Sequence, residues 1–126
     1  MSVDSSVVLV AGPWEHRYVA ANGARFHVAS AGEGPLVLFL HAFPQFWWTW
    51  RRQLTALAEA GYRAVAMDLR GYGASDKPPT GYDAPTLTAD VAGVIRSLAG
   101  TLRVVAPGEL ARGIGQSRVV AGIGAA

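Results

Sequence analysis

The sequence predicts an α/β domain, and three features of one stretch, Leu36 to Pro79, carry the prediction. Leu36 to Leu40 is an unbroken apolar run of strand length, the pattern of a parallel strand covered on both faces. Trp47, Trp50, Leu54, Leu57 and Ala58 then recur at spacings of three and four, which makes one stripe of an amphipathic helix closed by Gly61. Ala64 to Met67 is a second buried strand, with Asp68 at its carboxyl end, the edge of an α/β sheet where ligands bind.

Composition supports a folded domain and removes several function classes. The chain has 126 residues, 51% of them hydrophobic, enough for one domain with its own core. Its formal charge is only +2, and the pI of 9.4 comes from ten arginines and one lysine spread without a cluster, so a nucleic-acid partner is not expected. The absence of cysteine excludes disulfides, thiolate metal sites and a cysteine nucleophile, and leaves the compartment open. No metal site or cofactor is expected.

In chain order, residues 1–13 read as a flexible, soluble end. Val7 to Val10 is the only apolar run before Pro13, too short and wrongly flanked for a signal peptide or a membrane span. Trp14 to Ala20 and Ala24 to Ala29 are extended segments around Asn22-Gly23, a dipeptide that suits a type I′ hairpin turn because both residues tolerate positive φ. His16 and His27 lie on this hairpin with no accompanying partner cluster in the sequence, and receive no role. Gly32-Glu33-Gly34-Pro35 resets the chain before the buried strand, which empties into His41-Ala42-Phe43-Pro44. After the second strand, Lys77-Pro78-Pro79 makes a rigid exit. Tyr82 to Thr86 then opens a helix that Asp83 or Thr86 can cap, with Leu87, Val91, Val94, Ile95 and Leu98 as its apolar stripe and Gly100 as its stop.

His41-Ala42-Phe43-Pro44, the aromatic run Phe46 to Trp50 and the loop Asp68-Leu69-Arg70-Gly71-Tyr72-Gly73-Ala74-Ser75-Asp76 occur in this order around one helix. In that arrangement the chain resembles the N-terminal half of an α/β-hydrolase of the epoxide hydrolase type, from about Trp14 to Leu98. Ala42 stands where the family's HGxP loop has glycine, while the DxRGxGxSD loop matches fully. The resemblance implies a hairpin leading into a mostly parallel sheet with flanking helices, and a cofactor-free hydrolase of a small apolar substrate. It gives the backbone N–H of Phe43 to an oxyanion hole and makes His41, beside Pro44, a structural brace. Phe43, Trp47 and Trp48 are offered as walls of a substrate pocket, although aromatic residues at helical spacing also suit a core. Asp68 stands where catalytic acids often stand, but the resemblance makes it structural. With Arg70, Ser75 and Asp76 it would tie down loop backbone, Gly71 and Gly73 permitting the tight path.

Residues 99–126 depart from the pattern. The resemblance calls for a central strand and a sharp turn of small residues around a nucleophile. Either of two Arg-Val-Val-Ala quartets, Arg103 to Ala106 and Arg118 to Ala121, can be that strand. After the first, Pro107 and Arg112 occupy small positions, which makes Glu109 a poor nucleophile. After the second, Ile123 or Gly124 falls where an aspartate or serine is needed, and Ser117 precedes its strand. The expectation is therefore a catalytically incomplete piece, truncated before the lid and the C-terminal strands, through a truncation or frameshift or as a natural short protein. A haloalkane dehalogenase or ester hydrolase is the neighbouring alternative. A non-catalytic interaction module, self-associating through an exposed sheet edge, is the alternative from another class. The compartment expected is cytoplasmic. A dinucleotide site is disfavoured, because the first buried strand does not lead into a glycine-rich phosphate turn.

Overall fold

A computed structural model of the chain describes residues 5–42, 44–99 and 120–123. Five strands form one sheet in the order β1-β2-β4-β3-β5. The hairpin pairs β1 (Glu15–Ala21) with β2 (Ala24–Ala31) in antiparallel register, through a turn where Asn22 (φ 48°) and Gly23 (φ 75°) take the positive values a type I′ turn needs. β3 (Leu36–Leu40) lies parallel to β4 (Arg63–Met67) and, on its other side, to β5 (Val120–Ile123). β2 runs antiparallel to β4, so the sheet has a parallel centre and an antiparallel hairpin wing.

Alternation along the strands divides the core into two layers. Phe26, Val28, Leu36, Leu38, Val65 and Met67 face helix α2 (Ala84–Ala99), which packs Val94 and Ile95 against them. Ala29, Ala31, Val37, Phe39, Ala64 and Ala66 face the other way, where Trp47 and Leu54 cover them. The small alanines on this face leave room for tryptophan. The stripe read as one helix begins as a 3₁₀ turn, Trp47–Trp50, and continues as helix α1 (Arg51–Glu59). Asp83 caps α2: its carboxylate accepts the backbone N–H of Thr86 at 3.0 Å.

Ser5–Val8 forms a 3₁₀ turn, the Val8 carbonyl accepts the Trp47 indole N–H at 2.8 Å, and the Val10 carbonyl accepts that of Trp14 at 2.9 Å. The Trp47 indole is buried, and this segment supplies its acceptor. Of the two quartets, only the second reaches a described strand, since β5 begins at Val120. Gly100, the first quartet, Glu109, Ser117 and Gly124 lie outside the described residues.

Candidate functional site

The chain runs from β3 through α1 to β4 on one side, then returns to lay β5 on the other side of β3. That reversal lies between β3 and β5, whose carboxyl ends are the usual ligand position in such sheets. Leu40 pairs with Ile123, so the loop leaving β3 starts beside the end of β5. Phe43, the residue expected to supply both an oxyanion donor and a pocket wall, lies outside the described residues. Its neighbours are defined. Gln45 donates its backbone N–H to the Ala42 carbonyl at 2.7 Å and accepts that of Ala42 on its side-chain oxygen at 3.3 Å, while Pro44 is exposed. Asn22 is the only described non-glycine residue with positive φ, so the loop holds Ala42 without the backbone strain that would demand glycine.

His41 joins this loop to the next. Its Nε2 accepts the backbone N–H of Leu69 at 3.0 Å, and its Nδ1 lies 3.2 Å from the Ala42 carbonyl. An acceptor at Nε2 places the ring proton on Nδ1. Burial pushes the His41 pKa below the ordinary 6.5, against the opposing pull of the Ala42 carbonyl and the Asp68 charge.

Asp68 is fully buried and its oxygens are occupied by the protein itself. Oδ1 accepts the backbone N–H of Trp47 at 2.7 Å, and Oδ2 meets His27 Nδ1 at 2.7 Å and the N–H of Ala74 at 3.1 Å. Gly73, at φ 52°, wraps so closely that a Cβ there would collide with this carboxylate. Ser75 Oγ donates to the Asp68 carbonyl at 2.6 Å and accepts the N–H of His27 at 2.8 Å. Asp76 accepts the N–H of Arg25 at 2.8 Å, and Gly71 donates to the Asp76 carbonyl at 3.0 Å. The loop is thus sewn to β2 as well as to itself.

Arg70 does something else. Its Nε and Nη2 grip Asp90 of α2 at 2.8 and 2.7 Å, and Asn22 of the hairpin turn adds a third bond to that carboxylate at 2.9 Å. The partner expected for Arg70 was loop backbone; the structure gives it a side chain on a helix. Asp90 raises the Arg70 pKa further, chiefly through these hydrogen bonds. Trp47 is wholly buried, edge-on to Trp14 (5.3 Å) and Trp48 (5.6 Å), whereas Trp48 is half-buried under the Arg51 guanidinium. The two tryptophans offered as pocket walls therefore meet each other and the N-terminal segment. An open apolar groove of ≈ 370 Å³ lies elsewhere, between Leu40, Leu69 and the Leu87, Val91 and Ile95 face of α2.

Sequence reasoning missed His27. It is fully enclosed between Asp68 and His16, whose Nδ1 lies 2.8 Å from His27 Nε2. The two-residue turn carried the signal, because it fixes the hairpin register and puts positions 16, 18, 27 and 29 on one face. No group of three or more histidine and acidic side chains among the described residues is placed to hold a metal ion. No described helix is long and apolar enough to cross a membrane.

Residues 35–105 match the profile of the alpha/beta hydrolase fold. The chain belongs to the α/β-hydrolase fold family. Within it the similarity runs to epoxide hydrolases. Epoxide hydrolase 1 of Siraitia grosvenorii is 51% identical over 86 residues, which cover 67% of this chain and 28% of that protein. An epoxide hydrolase of Caballeronia sordidicola is 48% identical over 82 residues, covering 64% and 25%. The crystal structure of an epoxide hydrolase from Vigna radiata superposes with a TM-score of 0.69 at 48% identity over 73% of this chain and 30% of that one. A Solanum tuberosum epoxide hydrolase variant gives 0.69 at 40% identity over 86% and 31%. The chain spans under a third of the length of these relatives.

Proposed function

We propose that the chain is the oxyanion-loop part of an epoxide-hydrolase-type enzyme, acting without a cofactor on a small apolar substrate in the cytoplasm. One observation carries this reading: His41 knits the loop after β3 to the loop after β4, and Asp68 holds the start of the Trp47–Trp50 turn that follows, at the carboxyl ends of two adjacent parallel strands. In this reading the Phe43 N–H faces the developing oxyanion, and a preorganised donor there stabilises charge that forms only in the transition state. His41, Pro44, Asp68, Arg70, Gly71, Gly73, Ser75 and Asp76 hold the two loops in place. Trp48, the more accessible of the paired tryptophans, is the better candidate for contact with substrate, and Trp47 serves the core.

Family-type chemistry needs an aspartate nucleophile, a histidine base and its carboxylate partner, none of which this sequence supplies at a matching position. They must come from polypeptide outside these residues, so residues 14–98 act as scaffold and residues 99–126 hold the departure from the pattern. Sequencing the DNA from the Leu98 codon through several hundred bases past the Ala126 codon tests this. A frame encoding a nucleophile turn, a lid and a late histidine is expected, and the protein joined through that frame should open epoxides to diols. Closure of every frame would overturn the reading. An encoded serine at the turn would redirect it to ester hydrolysis, and an aspartate active only on alkyl halides to dehalogenation.

A second reading, an interaction module, is favoured by one feature. Among the described residues β5 is paired on its β3 side only, which leaves a strand edge able to pair with another copy. Sedimentation of the purified chain distinguishes the two, since a monodisperse monomer counts against it.

A further inference from the structure

We propose that Asn22 is a modification site: the Asn22-Gly23 peptide deamidates through its own backbone, and the hydrogen bond from Asn22 to Asp90 decides when it reacts. The reaction needs only water and is independent of any catalytic role of the chain. Asn22 is the only asparagine in the sequence, and a glycine follows it. Both residues are exposed in the hairpin turn, and nothing stands within 4 Å of the place a Cβ would take on Gly23. Its backbone nitrogen is therefore unscreened by a side chain. That nitrogen gives up its proton and bonds to Cγ of Asn22, and the Cγ–Nδ2 bond breaks as the amide nitrogen leaves with a proton as ammonia. The cyclic imide then adds water at one of its two carbonyls. Opening at Cγ leaves an aspartate, and opening at the main-chain carbonyl leaves an isoaspartate. The sum is amide plus water to carboxylic acid plus ammonia.

Ring closure needs Cγ to swing onto the Gly23 nitrogen, and in the folded chain the amide is committed elsewhere. Nδ2 donates to Asp90 Oδ1 at 2.9 Å and reaches the Thr86 carbonyl at 3.5 Å. Both neighbours are acceptors, which fixes the amide with its nitrogen towards α2. Asp90 is fully buried and is gripped on its other side by Arg70 at 2.7 and 2.8 Å, so the acceptor is itself held in place. The junction has no slack: α2 comes so close to the hairpin at Gly93 that a Cβ there would stand 2.9 Å from the Ala21 Cβ. Conversion breaks this junction in two ways. An aspartate presents an oxygen where the N–H donor was and sets a second negative charge against a buried carboxylate. An isoaspartate also lengthens the backbone of a turn whose two residues fix the hairpin register. A chain that opens here and reacts cannot close the junction again, so the amide is spent only when the hairpin turn leaves α2.

Peptide mapping of the full 126-residue chain, held in mildly alkaline buffer with and without urea, tests this. Trypsin releases Tyr18 to Arg25, a peptide with Asn22 and no glutamine, so the mass gain of amide-to-acid conversion is read at one residue. Conversion should be about tenfold slower in the folded chain than in urea, the factor expected of one hydrogen bond to a charged acceptor, and should rise along the unfolding transition. Gly23→Ala puts a methyl group beside the attacking nitrogen and should lose most of the rate in urea, where the fold plays no part. The chain converted at position 22, separated from the parent, should unfold at lower urea, and Asn22→Asp should reproduce the share of that shift due to charge. Equal rates in the folded and the unfolded chain would overturn the proposal. So would a Gly23→Ala chain as fast as the parent in urea, or an unchanged urea midpoint in the converted chain and in Asn22→Asp.

Discussion

Each face of the sheet is bordered by one fully buried aspartate, and the two are satisfied in opposite ways. Asp90, beside the aliphatic layer, is gripped by a guanidinium and an amide, and ties together the hairpin turn, the loop after β4 and α2. Asp68, beside the tryptophan layer, receives two backbone N–H groups and an imidazole, and ties one loop to itself and to its neighbours. The first arrangement is a charge pair joining distant elements; the second is a local cage of dipoles with a titratable ring at its mouth. A charge pair fails when one partner is removed, because a buried charge is left behind. A cage fails when its path is distorted, because several short bonds depend on one backbone trace.

The largest effect is expected on the charge pair. Arg70→Ala should destabilise the chain by about 3–5 kcal/mol, since Asp90 keeps its burial and loses its counter-charge. The Arg70→Met, Asp90→Leu double variant should recover most of that loss in a urea titration. If the double variant is no better than the single one, the pair contributes more than mutual compensation.

The cage is next. Gly73→Ala should cost about 2 kcal/mol or more, combining a positive φ with the collision against the Asp68 carboxylate. Substitution of Gly23, which has open space around its Cβ position, should cost less in the same urea titration. Equal costs at the two glycines would mean that backbone conformation alone sets the penalty and that the cage has room to give.

pH sharpens the comparison further. Burial lowers the His41 pKa, so the unfolded chain takes up a proton before the folded one does. His41 should add no pH dependence well above 6.5, and stability should decline as pH falls from 6.5 through the folded value. Urea midpoints measured across that window should flatten in His41→Gln.

The smallest effect is expected at the exposed cap of α2. Thr86 holds the Asp83 pKa below 3.8 through its hydroxyl and backbone N–H, so the cap contributes above 3.8 and is lost as pH falls through the folded value. Asp83→Ala should lower the melting temperature slightly at neutral pH and leave it unchanged at the acid end.

Much of the architecture was legible because it rests on neighbours in the chain. Leu36 to Leu40 announces a two-sided strand through its own composition, and Asn22-Gly23 announces a hairpin through its own conformational freedom. The two strand-end loops were recognisable as motifs, and their order around one helix led to the right family. The side-chain partnerships were less legible. His27 looked unremarkable in sequence, although the hairpin register alone would have set it beside His16.

What the sequence determined by itself is the parallel strand pair, the hairpin and the two amphipathic helices, since periodicity, turn residues and caps act over a few positions. Only the tertiary structure decided that Arg70 grips Asp90 across twenty residues, that Asp68 closes on His27 across forty-one, and that β5 lies beside β3. Those outcomes depend on which elements the sheet brings together. A buried charge selects its partner from whatever stands within hydrogen-bond reach once the core has formed.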